Sequence, residues 1–396
     1  MEFIFDINII YSHVAQALLA VGLLSALYLI FIYRQKIAGV TRQHRLALQQ
    51  PDNPNNGSLP PISIIIYCKD SARALEKILP SILNQNYDAP FEVIVATDGR
   101  NEQANDVIKL FSLNHHNLRM TYVPDEAHAL SRRKLATTLG IKAARYEYII
   151  LTDAHAHIMS NEWLSLIGKH FAQGKDVVIG SSFPVGEKEL KSMSLFNMLA
   201  DKTTYLSSAL ARRPYRCSVF NIAFRRQLFF NNSGFTDSVG LHHGIDDIFL
   251  SHITKNSNYA VELADGAQTG VNASVYAGDY PTDRVRHEFT GRKLSHFNRR
   301  LMGFGSAMMW TWLAATIAAG ILFMPNPIPL SALLLIGIIW ITFVSIAWHK
   351  AANALHIPIK SWCIPAFIFI RPITTFFMRL KGRKHRSANF TWAKPV

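Results

Sequence analysis

The chain has 396 residues, of which 49% are hydrophobic and only 17% are charged, which is apolar for a wholly soluble protein. Its three cysteines are widely spaced and make neither a disulfide framework nor a zinc site. The net charge of +14 is concentrated beside apolar segments, as on membrane flanks, and no nucleic-acid-binding signature accompanies it, so we expect no nucleic-acid partner.

The first element is an apolar stretch from Val14 to Tyr33, which is long enough to cross a bilayer. Acidic Glu2 and Asp6 precede it, whereas a signal peptide begins with positive charge, so we predict an uncleaved anchor. Basic residues follow the stretch, and the positive-inside rule then places the amino terminus outside and the next domain in the cytoplasm.

Strands and helices alternate from residue 61 onward. Apolar runs of strand length occur at residues 62–67, 91–96, 119–123, 148–151 and 177–179. Segments with helical periodicity separate the earlier runs, at residues 72–84, 102–113 and 132–144. Strands that alternate with helices predict an α/β fold with a mostly parallel sheet and right-handed crossovers.

Two further apolar stretches, 307–324 and 328–348, are separated by a short proline-containing turn and predict a transmembrane hairpin. A third apolar stretch, 362–378, contains Arg371, and a charge near the middle of a spanning helix is expensive. We therefore favour a re-entrant or interfacial helix over a third span. The predicted domains are an N-terminal anchor (1–34), a basic segment and linker (35–60), the α/β domain (61–300), a transmembrane hairpin (301–349), and an interfacial or re-entrant helix with a basic cytoplasmic tail (350–396).

Polar side chains follow several predicted strands, and ligands of open α/β sheets bind beyond the carboxyl ends of the strands. Asp70 and Asp98 follow the first two strands, and Asp153, His155 and His157 follow the fourth. Alternate residues of an extended strand face the same side, so Asp153 and His155 would face one ion, and His157 would continue that face. The sequence therefore predicts a ligand site at this edge of the sheet.

Charged residues of two other segments are further candidates. Arg133 and Lys134 stand at a predicted helix start, where cations oppose the helix dipole unless they face an anion such as pyrophosphate. Asp246 and Asp247 are adjacent, so repulsion between them in a cleft should raise the pKa of one, as a general base requires. The alternatives are a solvated basic face for the first pair and a helix cap for the second.

A family resemblance begins with the segment PISIIIYCKDSARALEKILPSILNQNYDAPFEVIVATDGR. This segment resembles the first half of a family 2 glycosyltransferase with the GT-A nucleotide-diphospho-sugar transferase fold. The next block, in which a strand ends in a metal-binding Asp-x-Asp, is similar to RRKLATTLGIKAARYEYIILTDAHAHIMSNEWL. The acceptor-side segment is similar to RPYRCSVFNIAFRRQLFFNNSGF and the acidic catalytic segment to GIDDIFL, and GRKLSHFNRR stands where members carry a Gln/Arg-x-x-Arg-Trp helix.

The chain departs from that pattern at several places. The metal-binding Asp-x-Asp is Asp153-Ala154-His155, and the terminal Arg-Trp is absent. The resemblance still implies a divalent cation held by Asp153 and His155. Because Mn²⁺ tolerates an imidazole ligand better than Mg²⁺ does, it implies Mn²⁺ more than Mg²⁺. The alternative is that the metal is lost and that Arg133 and Lys134 neutralise the diphosphate of the donor.

The resemblance implies roles for other residues as well. Asp98 would bind the nucleobase or ribose of the donor, and Asp70 is a weaker candidate for the same nucleotide. Asp246 would be the catalytic base, with Asp247 as its neighbour, although the alignment leaves one residue of ambiguity between them. The acceptor or the diphosphate would meet residues of two later segments, namely Asn221, Arg292 and His296.

Together these observations predict a glycosyltransferase at the inner (cytoplasmic) membrane, multi-pass, with a cytoplasmic catalytic domain. It would move a sugar, with inversion, from a nucleotide-diphospho-sugar donor to a lipid-linked or other membrane-associated glycan acceptor in envelope glycan synthesis, in contact with membrane lipids. The alternative is a non-catalytic relative that retains the GT-A fold as a binding or assembly subunit, because its metal motif is altered.

Overall fold

The computed structural model describes residues 2–49, 58–127, 131–186, 190–238, 241, 244–275, 287, 296–323 and 328–384. Its strands are β1 (Ile62–Cys68), β2 (Phe91–Thr97), β3 (Leu118–Tyr122), β4 (Tyr148–Asp153), β5 (Ala156–Ile158), β6 (Val177–Ile179), β7 (Ser182–Val185), β8 (Ile222–Arg225), β9 (Tyr259–Val261) and β10 (Thr269–Asn272). Its helices are α1 (Glu2–Gln49), α2 (Ala72–Leu83), α3 (Glu102–Ser112), α4 (Arg132–Ala143), α5 (Trp163–Ala172), α6 (Ser192–Leu210), α7 (Arg226–Asn231), α8 (Leu250–Ile253), α9 (His296–Leu322), α10 (Ile328–Ala354) and α11 (Ile364–Lys384).

The main sheet has the strand order β3-β2-β1-β4-β8-β6-β9. The pairs β3–β2, β2–β1 and β1–β4 are parallel, whereas β8 is antiparallel to both of its neighbours. Every residue of β1 is buried, because the strand lies inside the sheet with helices on both faces, which is why its sequence is almost continuously apolar. The predicted α/β class with a mostly parallel sheet is confirmed.

A second, smaller sheet has the order β5-β10-β7. We did not predict it from the sequence, because its strands have only three or four residues and the antiparallel pair β5–β10 joins distant segments. A run of that length carries no readable alternation of apolar and polar residues. Its first strand, β5, follows the two-residue turn after Asp153. The pairing of β5 therefore determines the direction in which the chain leaves the main sheet.

Helices α1, α9 and α10 pack against one another beside the α/β domain. The contacts are close where glycine meets a large side chain: a Cβ at Gly22 would lie 2.3 Å from Leu333, and one at Gly337 would lie 2.4 Å from Trp312. Small residues at such contacts are typical of membrane helix pairs. Two described helical segments, His13–Gln49 and Ile328–Ala354, are long and apolar enough to cross a membrane, whereas Ala307–Leu322 is apolar but shorter.

Helix α1 continues as one helix to Gln49, through residues that we predicted as a basic segment and linker. Its last turns contact the α/β domain, because Gln43 Nε2 donates to the Val261 carbonyl at 3.0 Å and His44 Nε2 lies 2.7 Å from Asp265 Oδ1. The predicted linker residues 51–57 lie outside the described residues. The helix that contains the predicted anchor is thus continuous to Gln49, and its last turns are docked on the α/β domain.

Candidate active site

The carboxyl ends of β1, β2 and β4 meet at one edge of the main sheet, which we call the carboxyl edge. Asp70, Asp98 and Asp153 lie there, together with the first residues of α4. Asp70 is exposed and adopts a left-handed conformation with φ of +44°, which is uncommon for a residue with a side chain. The structure therefore brings the predicted donor-side carboxylates together, because parallel strands end at the same edge.

Asp98 is bound by two cations. Arg132 Nε donates to the Asp98 carboxylate at 3.1 Å and to its carbonyl at 2.6 Å, and Lys69 Nζ lies 3.8 Å from the other carboxylate oxygen. Partial burial raises the pKa of Asp98, and the charges of Lys69 and Arg132 oppose that shift without cancelling it. Arg132 is a partner that sequence reasoning missed, since we assigned the anion-facing role to the next two residues.

Asp153 is 4% exposed, and both of its carboxylate oxygens are engaged. Arg133 Nη2 donates to Oδ2 at 2.9 Å, while the backbone N–H and the ring Nδ1 of His155 meet Oδ1 at 3.0 and 2.9 Å. Burial raises the pKa of Asp153, but Arg133 and His155 lower it by more, so the carboxyl is held ionised. The Arg133 guanidinium also lies 4.6 Å from the ring centre of Tyr67, a cation–π contact.

His155 does not lie on an extended strand end, which corrects the prediction made from its spacing. Strand β4 ends at Asp153, the chain turns, and His157 belongs to β5 in the second sheet. The turn folds the imidazole of His155 back onto Asp153, and its Nε2 lies 3.1 Å from Ser71 Oγ. The hydrogen bond with Asp153 is the main cause that raises the pKa of His155. In this arrangement Asp153 and His155 hydrogen-bond to each other rather than facing one ion.

Two predicted contact residues are used inside the protein. Lys134 is 3% exposed, and its ammonium donates to the carbonyls of Ser238 and Leu241, so it binds the loop before Asp246 rather than the open edge. Asn221 is 1% exposed, and its amide donates to the carbonyls of two residues in neighbouring loops at 3.0 and 2.7 Å. These two side chains support the site instead of lining it.

The acidic pair sits on a turn that only glycine favours. Gly244 has a φ of +112°, and the chain then makes a π-type turn, Ile245–Phe249, before α8. Asp246 faces outward with a side chain that is 17% exposed, and its Oδ2 lies 2.7 Å from His287 Nε2. Asp247 is fully buried and accepts a hydrogen bond from the Ile248 N–H at 2.7 Å. Of these two adjacent acids, only Asp246 therefore offers a carboxylate at the surface of the site.

A buried arginine faces this pair. Arg216 has a side chain that is 13% exposed, and its Nη2 lies 4.0 Å from Asp247 Oδ2. The next residue, Cys217, donates its N–H to the Asp246 carbonyl at 2.8 Å. Burial raises the pKa of Asp246, but His287 and Arg216 lower it by more, so the net shift is downward. The expectation that the pKa of one member of the pair is raised is therefore not met at Asp246, because the interactions with His287 and Arg216 outweigh the effect of burial.

The acidic pair and the carboxyl edge belong to one site. Lys134, in the first turn of α4, binds the loop that precedes Gly244. Thr152, next to Asp153, donates its hydroxyl to the Phe220 carbonyl at 3.0 Å, in the segment that carries Arg216. Of the remaining predicted residues, Arg292 lies outside the described residues, and His296 begins α9. The site thus joins a set of acids and arginines at the carboxyl edge to an acidic pair on the neighbouring loop.

The sequence profile of glycosyl transferase family 21 matches residues 18–392, almost the whole chain. The chain belongs to this family. It is therefore a transferase, and the expected resemblance to a family 2-like glycosyltransferase is confirmed, with family 21 as the matching description.

Known relatives of this family 21 chain include hyaluronan synthase of Pasteurella multocida, with 24% identity over 52% of the chain and 23% of that protein. Glycosyltransferase GlyG of Streptococcus pneumoniae serotype 4 is 22% identical over 46% of the chain and 64% of that protein. The chain thus spans less than two thirds of the length of either relative.

Solved structures similar to the family 21 chain include the mannosyltransferase PcManGT from Pyrobaculum calidifontis, in complex with GDP-Man and Mn²⁺. That pair has 19% identity and a TM-score of 0.49, and the match covers 87% of this chain and 98% of the other. The structure of S. aureus TarS 1-349 matches with 17% identity and a TM-score of 0.39, over 83% of this chain and 91% of the other.

Three residues of the family 21 site were missed by sequence reasoning: Arg132, Arg216 and His287. Arg132 is the first of three consecutive basic residues, and the spacing alone did not show which of them faces Asp98. Arg216 and His287 lie 30 or more positions along the chain from Asp246 and Asp247, and no local pattern connects them.

A cavity of about 550 Å³ lies away from this site, at the opposite edge of the main sheet. It is lined by Arg145, Glu147, Arg225, Arg226, Gln227, Leu228 and Asn231. Arg225 is already paired with Glu147 and Asp176, both at 3.1 Å. The lining carries three arginines and one glutamate, and it includes none of the candidate site residues described above.

Proposed function

We propose that this family 21 glycosyltransferase moves a sugar from a nucleotide-diphospho-sugar to a membrane-associated or lipid-linked acceptor, with inversion, in envelope glycan synthesis. The observation that carries the proposal is Asp246: an ionised, partly exposed carboxylate on a glycine turn, tied to the carboxyl edge through Lys134. Family membership supports a transferase over the non-catalytic alternative. The relatives named hyaluronan synthase and chondroitin synthase support a glycan product.

The donor would lie along the carboxyl edge. Asp98, held by Arg132, is suited to hydrogen bonds with the nucleobase or ribose, and exposed Asp70 stands beside it. The side chain of Arg133 is 33% exposed, and its guanidinium donates to Asp153 through one nitrogen. The other N–H groups would therefore be able to bind a diphosphate. The imidazole of His155 lies beside Arg133, and its hydrogen bond with Asp153 raises its pKa, which favours the protonated form.

The acceptor would approach from the side of the acidic pair. Asp246 would take the proton of the acceptor hydroxyl as its oxygen bonds to the anomeric carbon and the bond from that carbon to the diphosphate breaks. A single displacement of this kind inverts the anomeric centre. The lowered pKa of Asp246 keeps the carboxylate ionised, which is the protonation state that a proton acceptor needs, and it also makes Asp246 a weaker base than a carboxylate with a raised pKa. Asp247 and Arg216 would hold its position from behind.

A divalent cation would neutralise the leaving diphosphate. Two sets of residues are candidates to hold it, and each contains one imidazole: the predicted pair Asp153 and His155, and the group Asp246, Asp247 and His287, whose ligand atoms lie within 4.8 Å of one another. The first set fits only if His155 releases Asp153, and the second has a buried guanidinium beside it. Since both sets include histidine, we propose that Mn²⁺ is preferred over Mg²⁺.

The proposed location is the cytoplasmic membrane, with the catalytic domain inside and more than one span. It is supported by the two long apolar helices and by the basic residues that follow the first of them. Reporter fusions near Asn55 and at Val396 test this topology. Both should report a cytoplasmic position, and an external signal at either point would overturn it.

The function itself is tested with purified full-length protein, Mn²⁺, and a panel of UDP-, GDP- and dTDP-sugars. We expect one donor to release its nucleotide and to label a membrane extract, and we expect Asp246→Asn to abolish both. If labelling occurs and is identical in Asp246→Asn, the proposed base is wrong. If no donor is turned over while the protein binds none of them, the proposed donor class is wrong.

A further inference from the structure

The cavity at the opposite edge of the main sheet has the size and the polarity of a site for a charged small molecule. Its volume of about 550 Å³ lies within the range of small-molecule sites, roughly 300 to 1,000 Å³. Such sites are mostly lined by apolar side chains, but among the described residues that line this cavity Leu228 is the one aliphatic side chain. The lining therefore suits a polar or charged ligand.

The acids in and beside the cavity already have cationic partners. Glu147 lies 3.1 Å from Arg225 Nη1, and Arg225 also lies 3.1 Å from Asp176. Glu92 accepts two hydrogen bonds from Arg119, at 3.1 and 2.8 Å. Because these carboxylates are paired, they repel an anion in the cavity less than unpaired carboxylates would.

Two arginines of the lining keep donors for a ligand. The side chain of Arg145 is 71% exposed, and its Nε lies 3.9 Å from Glu92, which Arg119 already binds. Arg226 Nη1 donates to the Ala144 carbonyl, and within the described part of the chain no carboxylate lies within 4.0 Å of the Arg226 guanidinium. A guanidinium has five N–H donors, so most of the donors of both side chains are left over.

An amide on α7 adds a neutral donor to these cations. Asn231 Oδ1 accepts a hydrogen bond from Gln227 Nε2 at 2.8 Å, and both residues line the cavity. This contact uses the oxygen of the Asn231 amide and leaves its NH₂ group as a donor. Two guanidinium groups and an amide around one cavity form a donor set that suits the oxygens of a phosphate group.

The cavity is separate from the proposed donor site. Strand β4 begins directly after Glu147, which lines the cavity, and ends at Asp153 on the carboxyl edge. Its six residues span about 20 Å. The strand is paired with β1 on one side and with β8 on the other, so the sheet itself lies between the two places. An anion in the cavity would therefore occupy a second site.

We propose that this cavity binds a small molecule that carries a phosphate or diphosphate group. Arg145 and Arg226 would each donate N–H groups to the phosphate oxygens, and Asn231 would add one hydrogen bond. The inference goes beyond the proposed function and does not rest on it, because none of these three residues belongs to the candidate active site.

The test is calorimetric titration of the full-length protein with pyrophosphate in the absence of divalent cations. Pyrophosphate should bind, and Arg145→Gln and Arg226→Gln should each weaken its affinity by about tenfold, because each removes a charge-assisted contact. Lys109→Gln on α3 is the matched control: it removes one positive charge from a side chain that is 70% exposed, and it should leave the affinity unchanged. An equal loss in Lys109→Gln would overturn the proposal.

Arg133→Gln distinguishes the cavity from the carboxyl edge, where a diphosphate is also proposed to bind. In this variant pyrophosphate should still bind, and adding Arg145→Gln should still weaken the affinity by about tenfold. If Arg133→Gln alone abolishes pyrophosphate binding, the anion binds at the carboxyl edge and the cavity proposal is wrong. If the cavity variants lose pyrophosphate while Asp246→Asn retains full transfer, the cavity proposal stands and the proposed catalytic base is wrong.

Inorganic phosphate and UDP, titrated into Arg133→Gln, show what carries the phosphate group. Affinities of UDP and pyrophosphate that are equal would mean that the cavity binds the phosphate oxygens alone. Tighter binding of UDP would mean that it binds a larger phosphorylated molecule, and both results support the site. No binding of any of the three probes would overturn it.

A second variant guards against a folding defect. Arg226→Gln loses the contact with the Ala144 carbonyl and could unfold, whereas Arg145 lies at the surface. Thermal unfolding identifies such a defect. If it occurs, Arg145→Gln decides the question, and wild-type affinity for pyrophosphate in that variant would overturn the proposal.

Discussion

The two halves of the site both place arginine beside carboxylate, but they do so differently. On the donor side, Arg132 and Arg133 hold Asp98 and Asp153, and their side chains are 30% and 33% exposed. Beside the acidic pair, Arg216 is only 13% exposed. A partly exposed guanidinium can bind its carboxylate and still contact an anionic ligand. A nearly buried guanidinium contacts mainly neighbouring protein groups. This difference supports the proposal that the first half binds the donor, whereas the acidic half has less exposed charge to offer a ligand.

The largest expected effect breaks the acidic half alone. Asp246→Asn keeps the volume and hydrogen-bonding ability of the side chain but removes its basicity. Transfer should fall by roughly a hundredfold or more, the range usual for loss of a general base, while donor Kd changes little. Steady-state transfer and calorimetric donor binding measure the two quantities. A parallel loss of donor binding would mean that Asp246 belongs to the donor half.

A second, smaller effect should appear when the donor half is broken. Arg133→Gln removes the partner of Asp153, and Asp153→Asn removes the anchor that holds Arg133 and His155. Each should weaken donor binding by about tenfold, because one charge-assisted contact to the diphosphate is lost or misplaced. Calorimetric titration with the donor nucleotide measures this effect. Lys142→Gln, at the other end of α4, is the control, and an equal loss there would contradict the assignment.

The preference for Mn²⁺ or Mg²⁺ distinguishes the two halves of the site as candidate cation sites. His155→Asp replaces an imidazole with an oxygen ligand and should strengthen Mg²⁺-dependent nucleotide binding by a few-fold, because Mg²⁺ prefers oxygen ligands. His287→Asp makes the same change beside the acidic pair. Calorimetry with Mg²⁺ and Mn²⁺ shows which of the two variants shifts the preference. If neither changes the affinity with either ion, the cation is held elsewhere.

The smallest effect concerns stability rather than activity. Lys202 on α6 is buried beside Ser182, and burial lowers its pKa to about 7 from an ordinary value of 10.5. Between these two pH values the unfolded chain binds more protons than the folded chain, so this lysine makes stability rise with increasing pH. Lys202→Met should remove a rise of a few degrees in unfolding temperature between pH 7 and pH 9.5. Lys175→Met, at an exposed hydrogen bond, should keep that rise.

The strand–helix alternation, the parallel core of the sheet, and the strand ends that carry Asp98 and Asp153 could all be predicted from the sequence. These features depend on local patterns: an unbroken apolar run reads as a buried strand, and parallel strands put their carboxyl ends at one edge. The same patterns predicted the long apolar helix near the amino terminus and the unusual charge at Arg371, because composition over a short window is enough to show both.

The contacts and the charge environment of these residues depend on the tertiary structure. The turn after β4 folds His155 onto Asp153, because β5 pairs with β10, a strand more than a hundred residues later. His287 and Arg216 lower the pKa of Asp246 although its burial alone would raise it. Electrostatic energies depend on distances between groups that are far apart in the chain, and no local pattern of residues contains those distances.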